Sequence, residues 1–586
     1  MQNFQRTIPG LFTVLALGGL AGLPLQADVK MPGIFGDHMV LQQEIKVPIW
    51  GKADPGEVVT VTANAAPEGA ATAGDHTAKA TAGADGAWRV DLDPFPNGAT
   101  PITLTVTGKN TLTFKDVLIG DVWICSGQSN MQLEMHEVYN GATELPKAND
   151  PQLRLFRPAA KVHSLTPKDD QPGKWYVSSP DSAWAFSATG YFFGRELRAK
   201  LNRPIGMIGI SVGGTPAQAW TSLDALQKDP ALKPYVDQYQ EANAKFPAES
   251  QAYTVQLAAY DAAKKDWDEK YGKDFAAALA QWNVAAKAAY AAGQPNPPYP
   301  KPAQSPPKKP DEPGGGYQTA SVLFNGMVAP LIPYGIKGVI WYQGENNVPD
   351  SQLYATLFPA MIADWRQRWG EGNFPFLYVQ LTNFNGHPKE NWPLLREAQL
   401  KTLSIAPNTA MAVIIDIGLT DNIHPVDKLD VGLRLALAAE SLAYGQKVVY
   451  SGPIYDSMAV EGSAIRIKFS SASLGSGLKI GAPPWVGPRS TVPPKDHLSG
   501  FAIAGDDKNW VVADAKIDGH TVVVSSPQVT SPAAVRYGWD NAPVCNLYNQ
   551  ENLPASPFRT DNWDESPQAA PITPNAADTG APTPAH

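Results

Sequence analysis

The spacing of apolar residues changes character several times along this chain of 586 residues. From Asp28 to about Lys115 it alternates, as in Glu57-Val-Val-Thr-Val-Thr62 and Pro101-Ile-Thr-Leu-Thr-Val-Thr107. A period of two places apolar side chains on one face of a strand. Clusters of turn formers, Ala53-Asp-Pro-Gly56, Gly83-Ala-Asp-Gly86 and Pro96-Asn-Gly98, separate the runs. Residues 28–115 therefore read as an N-terminal β-sandwich domain, which alone would be a spacer or a carbohydrate-binding module.

From Asp116 the apolar runs are unbroken: Val117–Cys125, Pro204–Val212, Gly338–Tyr342, Phe374–Leu381 and Thr409–Asp416. Such runs suit strands buried on both faces. Helical spacing lies between or after them, at Ala188–Leu201, Tyr354–Trp369, Leu394–Leu403 and Lys428–Tyr444. The pattern predicts an α/β domain over 116–446, a mainly parallel three-layer sheet. It is interrupted at about 222–315 by an insertion. There Ser250–Ala292 reads as an α-hairpin and Pro295–Pro313 as an extended Pro-rich stretch. A C-terminal β domain follows at 447–563, with strands expected at Val448–Tyr450, Ala464–Phe469, Trp510–Ala513 and Thr521–Val524. Residues 564–586, rich in Pro, Ala, Thr and Asp, read as a disordered tail.

Residues 1–27 have the form of a signal peptide: Arg6 near the start, an apolar stretch from Ile8 to Leu25, and the small Ala27 before Asp28. Pro9, Pro24, Gly18, Gly19 and Gly22 speak against a stable spanning helix there, and no later segment is long and apolar enough to span a bilayer. An exported protein is expected, periplasmic or secreted, with no membrane association after removal of the peptide. The formal net charge of −9 repels phosphate backbones, so nucleic acid is not an expected partner. Cys125 and Cys545 do not amount to a disulfide framework, and free buried thiols are expected. The 16 Trp and 20 Tyr belong mainly to cores, with sugar stacking as their other use.

The chemistry lies at the strand ends. Val117–Cys125 runs into Ser126-Gly-Gln-Ser-Asn130, which exposes the Ser129 hydroxyl at the carboxyl end of a core strand. The next strand runs into Gly213-Gly214, where backbone N–H groups can approach a ligand. The third ends in Gln343-Gly-Glu-Asn-Asn347, and the fifth leads to Asp421-Asn-Ile-His424. Acyl transfer needs such a set: Ser129 as nucleophile, His424 as base and Asp421 to orient the imidazole. The N–H of Ser129, the N–H of Gly214 or Gly213, and the Gln343 amide are candidate oxyanion donors. Asp416 and Asp427 are rival acids, Asp416 closing its strand and Asp427 reading as a helix N-cap. His38, His136 and His387 are read as surface or supporting histidines.

Together these blocks resemble the SGNH-hydrolase superfamily, and within it the sialate O-acetylesterase-like carbohydrate esterases. The matching pieces are Met39-Val-Leu-Gln42, Gly120-Asp-Val-Trp-Ile-Cys-Ser-Gly-Gln-Ser-Asn-Met131, Gly213-Gly-Thr-Pro-Ala-Gln-Ala-Trp220, Asn325-Gly-Met327, Lys337-Gly-Val-Ile-Trp-Tyr-Gln-Gly-Glu-Asn346, Arg396-Glu-Ala-Gln399, Asp421-Asn-Ile-His-Pro425 and Asn546-Leu-Tyr-Asn549. The resemblance implies an SGNH-type α/β/α domain with appended β-sandwich (jelly-roll-like) domains and Ser–His–Asp deacetylation of acetylated oligo- or polysaccharides without a metal or other cofactor. It also implies that Met39–Gln42 and Asn546–Asn549 pack together. Two positions depart from the pattern. Gln343 stands where the superfamily usually has an oxyanion-hole Asn, and Gln132 where an acidic residue often follows Ser-Asn-Met. Trp220, Trp341, Glu345, Asn346 and Arg396 are candidates to line a sugar site.

The leading expectation is thus an exported carbohydrate O-acetylesterase. Its substrate is plant hemicellulose (xylan or xyloglucan, slightly preferred) or O-acetyl sialic acid. The alternatives are a non-catalytic glycan-binding protein and an esterase of lipid or aryl esters. The intact set of Ser129, Asp421 and His424 disfavours the first, and the lack of a long apolar lid segment disfavours the second.

Overall fold

The computed structural model describes residues 28–65, 76–96, 98–294, 297–482 and 494–564. The expected signal peptide, and the tail beyond Asp564, lie outside the described residues. The N-terminal strands are β1 (Val40–Gln42), β2 (Val47–Lys52), β3 (Val58–Ala65), β4 (His76–Thr81), β5 (Ala87–Leu92), β6 (Gly98–Thr107) and β7 (Thr111–Gly127). β3 pairs antiparallel with β4 and β6, β6 with the first part of β7, and β2 with β5. Along β5 the side chains alternate between exposed and buried, as a strand of a sandwich with one wet face requires.

Further along the chain come β8 (Asp150–Pro158), β9 (Gly173–Ser178), β10 (Ile205–Ser211), β11 (Gly338–Tyr342), β12 (Phe376–Val379) and β13 (Thr409–Ala412). They join β7 in the order β13-β12-β11-β7-β10-β8-β9. Every neighbouring pair is parallel except β8 with β9. β7 serves both sheets: residues up to Ile119 pair with β6, and Asp121–Gly127 pair with β10 and β11. The expected border at 115/116 therefore falls inside one continuous strand.

Alternation along β7 makes the three layers. Val122 and Ile124 join the core that holds Phe358, Trp365 and Leu395, from the helices Ser351–Trp369 and Trp392–Ile405. Trp123 and Cys125 point to the other face, with Phe192 and Leu435 from the helices Ala188–Leu201 and Lys428–Leu442. All these side chains are fully buried, which accounts for the unbroken apolar runs of the central strands.

Three expectations need correction. The insertion is not an α-hairpin. Lys233–Trp267 continues through a five-residue π-helical turn at Asp268–Gly272 into Lys273–Ala291, with right-handed helical angles at both junctions. The Pro-rich stretch runs back along this helix and takes hydrogen bonds from it. Trp267 donates to Gln304 O at 2.7 Å and Trp282 to Pro297 O at 2.8 Å. Prolines offer carbonyls but no N–H groups, so the indoles supply donors that a second helix would have carried internally. Val448–Tyr450 forms no strand. Met39–Gln42 and Asn546–Asn549 lie in different sheets, β1 pairing with β7 and Leu547–Asn549 with Leu478–Ile480.

The C-terminal strands form two four-stranded antiparallel sheets, one around Ala464–Phe469 and one around Phe501–Gly505, and the two-stranded pair of Leu478–Ile480 with Leu547–Asn549. Cys125 and Cys545 are free and buried, and burial pushes each thiol up to about 12. Among the described residues no helix is long and apolar enough to cross a membrane.

The end of β7 leaves no room for a side chain. Gly127 has φ +136°, and a Cβ built there would lie 2.1 Å from Tyr342 O. Gly127→Ala is expected to lower stability by about 3 kcal/mol or more, through strain and forced separation of β7 from β11. Thermal unfolding against wild type checks this; a variant with unchanged Tm would contradict the close approach.

Candidate active site

The first three loops of the expected constellation open at the carboxyl ends of β7, β10 and β11. These are adjacent strands, and β7 is where the order reverses direction, the usual place for a site in an open parallel sheet. Gly127 ends β7, Gln128 N–H donates to Tyr342 O at 3.0 Å, and Ser129 opens the short helix Ser129–Gln132. The first N–H groups of a helix have no intrahelical acceptor, so those of Ser129 and Asn130 are available.

His424 comes to Ser129 from the loop after β13. Its Nε2 lies 2.9 Å from Ser129 Oγ. The loop is held by hydrogen bonds to three other segments: Asn130 Nδ2 to Ile423 O at 2.9 Å, Tyr139 N–H to Val426 O at 3.1 Å, and Asn385 N–H to Thr420 O at 2.8 Å. Burial holds the imidazole below the ordinary histidine range. The Lys428 cation adds to this and Glu137 opposes it. Serine and a neutral imidazole in contact are what proton abstraction from the hydroxyl requires.

The other expected members fall into two groups. The Gly213-Gly214 loop lies against the serine, since a Cβ on Gly213 would be 3.3 Å from Ser129 Cβ. Gly213 N–H is taken by Gln132 Oε1 at 2.8 Å, which leaves Gly214, at φ +70°, as the donor of the pair. Asn346 is exposed beside this ground, its N–H donating to Gln128 Oε1 at 3.3 Å.

Asp421 is not brought to the imidazole. It is exposed, and among the described residues its carboxylate makes no hydrogen bond to His424; the His424 N–H is received by Asn422 Oδ1 at 2.9 Å. The rival acids are occupied: Asp416 is bound by both Arg434 nitrogens at 2.7 and 2.8 Å and by Tyr548 OH at 2.9 Å, and Asp427 caps its helix as expected. The Gln343 amide is fully buried, and its nitrogen donates to Asn347 Oδ1 at 2.7 Å and Thr215 O at 3.3 Å. It braces the loops rather than offering a free donor.

Three of the sugar-site candidates are structural. Trp220 and Trp341 are fully buried and pack edge to face, 6.0 Å apart. Arg396 is fully buried, with hydrogen bonds to Leu381 O, Thr382 O, Asp540 O and Asn541 O that tie the sheet to the C-terminal strands. Glu345 is buried and receives Asn130 Nδ2 at 2.5 Å. His38 bonds Asp116 at 2.6 Å, His136 stacks on Trp184, and His387 is exposed. Among the described residues no group of three or more His, Cys, Asp or Glu side chains is placed to hold a metal ion.

The sequence reading missed Asn130, Lys428 and Lys161. Lys428 Nζ donates to Asn130 Oδ1 at 2.6 Å. Lys161 Nζ donates at 2.8 Å to Gln132 Oε1, the same oxygen that holds Gly213. Lys428 left a signal, a lysine on the core-facing stripe with Val431 and Leu435. Lys161 comes from a loop, where spacing says nothing about contacts.

The comparisons with known proteins place the chain in a family. The family described as carbohydrate esterase, sialic acid-specific acetylesterase, matches residues 119–284 and 320–441. The sialate O-acetylesterase of Rattus norvegicus is 31% identical over 475 residues, 71% of this chain and 74% of its own. That of Homo sapiens is 30% identical over 485 residues, 75% and 77% of the two chains. The crystal structure of a carbohydrate acetylesterase from Xanthomonas citri superposes with a TM-score of 0.69 at 33% identity, covering 91% of this chain and 100% of that one. The protein is a carbohydrate acetylesterase, a serine hydrolase of the carbohydrate esterase type. By the extent of these matches, the chain belongs to the sialic acid-specific acetylesterase family of carbohydrate esterases.

Proposed function

We propose that this protein is an exported esterase that removes O-acetyl groups from glycans through an acyl-enzyme on Ser129. The observation that carries the reading is the 2.9 Å contact between His424 Nε2 and Ser129 Oγ at the carboxyl ends of the central strands. His424 takes the hydroxyl proton as Ser129 attacks the acetyl carbonyl. The N–H groups of Ser129 and Gly214 receive the developing oxyanion. The sugar hydroxyl leaves with the proton from His424, and a water activated by the same imidazole releases acetate.

Asp421 enters by turning its exposed carboxylate onto the imidazole as positive charge develops there. Catalytic hydrogen bonds are often unmade before substrate binds, and a side chain on a surface loop is free to make that turn. The Gln343 amide, committed to Asn347 and Thr215, braces the donors.

Of the two substrate classes, the ground beside Ser129 favours the acidic one. Lys161 sits one hydrogen bond from Gln132, in no ion pair among the described residues although the charge of Glu134 reaches it. An acid at position 132 would neutralise it, whereas a glutamine leaves its charge to a carboxylate on the sugar. O-acetyl sialic acid fits this charge, and acetylated xylan or xyloglucan is the second reading.

Acetate release from O-acetyl sialic acid, acetylated xylan and acetylated xyloglucan tests the proposal. Wild type is expected to release acetate from the acidic sugar first, and Ser129→Ala to lose at least about 10³-fold in rate with an unchanged far-UV spectrum. Full activity in Ser129→Ala would end the acyl-enzyme reading. Asp421→Asn is expected to lower kcat by at least about tenfold, and a value within about twofold of wild type would remove Asp421 from the mechanism. Because the imidazole is held below its ordinary range, it stays unprotonated into mild acid. The acid limb of kcat/KM should have its midpoint below about pH 6.5, and a rate flat to about pH 4 would contradict a histidine base.

A further inference from the structure

Four segments meet on one buried amide beneath Ser129 and His424. Asn130 is fully buried, and its Nδ2 donates to Glu345 Oε1 at 2.5 Å and to Ile423 O at 2.9 Å. Its Oδ1 accepts from Lys428 Nζ at 2.6 Å. The Lys428 ammonium also stands 4.8 Å from the centroid of the Tyr342 ring. Lys428 is 0% exposed and Glu345 is 7% exposed, and the second Glu345 oxygen is buried with no hydrogen-bond partner.

A lysine here is costly three times over. Full burial of an ammonium is expensive, and an apolar side chain of similar size would usually be as stable or more so. The position opens the helix Lys428–Leu442, where the helix dipole disfavours a cation. The amide between the two charges keeps them from a direct ion pair. Unfavourable placement of this kind, directly under a nucleophile and its base, points to function.

We propose that Lys428 is a positioning residue of the esterase. It fixes the Asn130 amide that joins the Ser129 turn to the His424 loop, and its charge keeps the His424 imidazole in the neutral, proton-accepting form in mild acid. The proposal rests on His424 being the base. The groups facing the imidazole are Ser129, Lys428 from the following helix, and Glu137 from the turn at Met135–Glu137. Those facing Lys428 are Glu345 after β11, Asp427 beside it, the Asn130 amide and the Tyr342 ring. Burial lowers Lys428 to about 7, against Glu345 and Asp427, while burial raises Glu345. Lys428 therefore carries its charge in mild acid, where the imidazole would take a proton.

The test compares wild type, Lys428→Met and the double variant Lys428→Met with Glu345→Gln. The readouts are the pH dependence of kcat/KM on 4-nitrophenyl acetate and thermal unfolding. The single variant leaves Glu345 without its cation and should melt lower; the double variant removes both charges and should recover most of that loss. Both should show the acid limb displaced upward, so that the ratio of kcat/KM at about pH 5.5 to that at about pH 8.5 falls roughly threefold to tenfold. An unchanged ratio in the double variant, or a loss equal at every pH, would assign Lys428 to packing alone and overturn the proposal. Full activity in Ser129→Ala on the same ester would instead show that the catalytic reading has failed, and the proposal would fall with it.

Discussion

The hydrogen bond from Asn130 to Ile423 is the constraint on which the site depends. Ser129 and His424 are 295 positions apart in sequence and come from opposite ends of the α/β segment. Neither is positioned by its own loop. The serine follows a glycine and opens a helix of four residues, and the histidine lies on a loop with little regular structure. One buried carboxamide, with Oδ1 on an ammonium and Nδ2 shared between a carboxylate and the histidine loop, can take only one orientation. That single orientation turns two soft loops into a fixed contact. In a low-dielectric interior the same bonds are stronger than at a surface, and a missing partner costs correspondingly more.

The scaffold beneath is organised around β7. Because one strand belongs first to the N-terminal sheet and then to the central one, the two are joined through a ladder of backbone hydrogen bonds rather than a linker. Asp121 reinforces the transition. It is fully buried, and Gln42 and Gln43 donate to it from the N-terminal side at 3.1 and 2.9 Å. This explains the Met39-Val-Leu-Gln42 block, whose purpose is invisible in the sequence alone. It places a parallel strand on β7 and sets Gln42, with Gln43 beside it, on one oxygen of a buried carboxylate whose other oxygen meets Arg203 at 3.4 Å.

How far the sequence could be read follows from which interactions are local. Strands buried on both faces announce themselves as unbroken apolar runs, and β10, β11 and β12 lie where those runs predict. Ser129, His424 and the Gly213-Gly214 loop were legible because each immediately follows such a strand or sits in a short motif. What was not legible is long-range. Arg396 looks like a ligand-facing cation, yet its four carbonyl partners come from two distant segments. Trp341 looks like a stacking platform, yet it sits within a buried strand of the sheet. The α-hairpin reading failed for a related reason, since a proline-rich return segment can replace a second helix only if something supplies donors, and Trp267 and Trp282 do.

The electrostatics leave a demand that the buried cluster cannot meet. A cation at Lys428 and the positive end of the helix it opens both favour a neutral imidazole and a negative oxyanion, which suits the attack of Ser129. Both disfavour the imidazolium that the same step creates. A base kept neutral by a nearby cation therefore gains in mild acid what it loses in proton affinity at the transition state, unless a carboxylate approaches as the proton moves. Two exposed carboxylates bear on this: Asp421 on the loop of His424, and Glu137, whose charge reaches the imidazole from the turn Met135–Glu137. A rigid, fully buried acid would lift the imidazole back toward its ordinary range at rest and cancel the work proposed for Lys428. An acid held in water and recruited only when charge develops does not. If Lys428 acts as proposed, an outward Asp421 is the arrangement that a buried lysine beneath the base makes most useful.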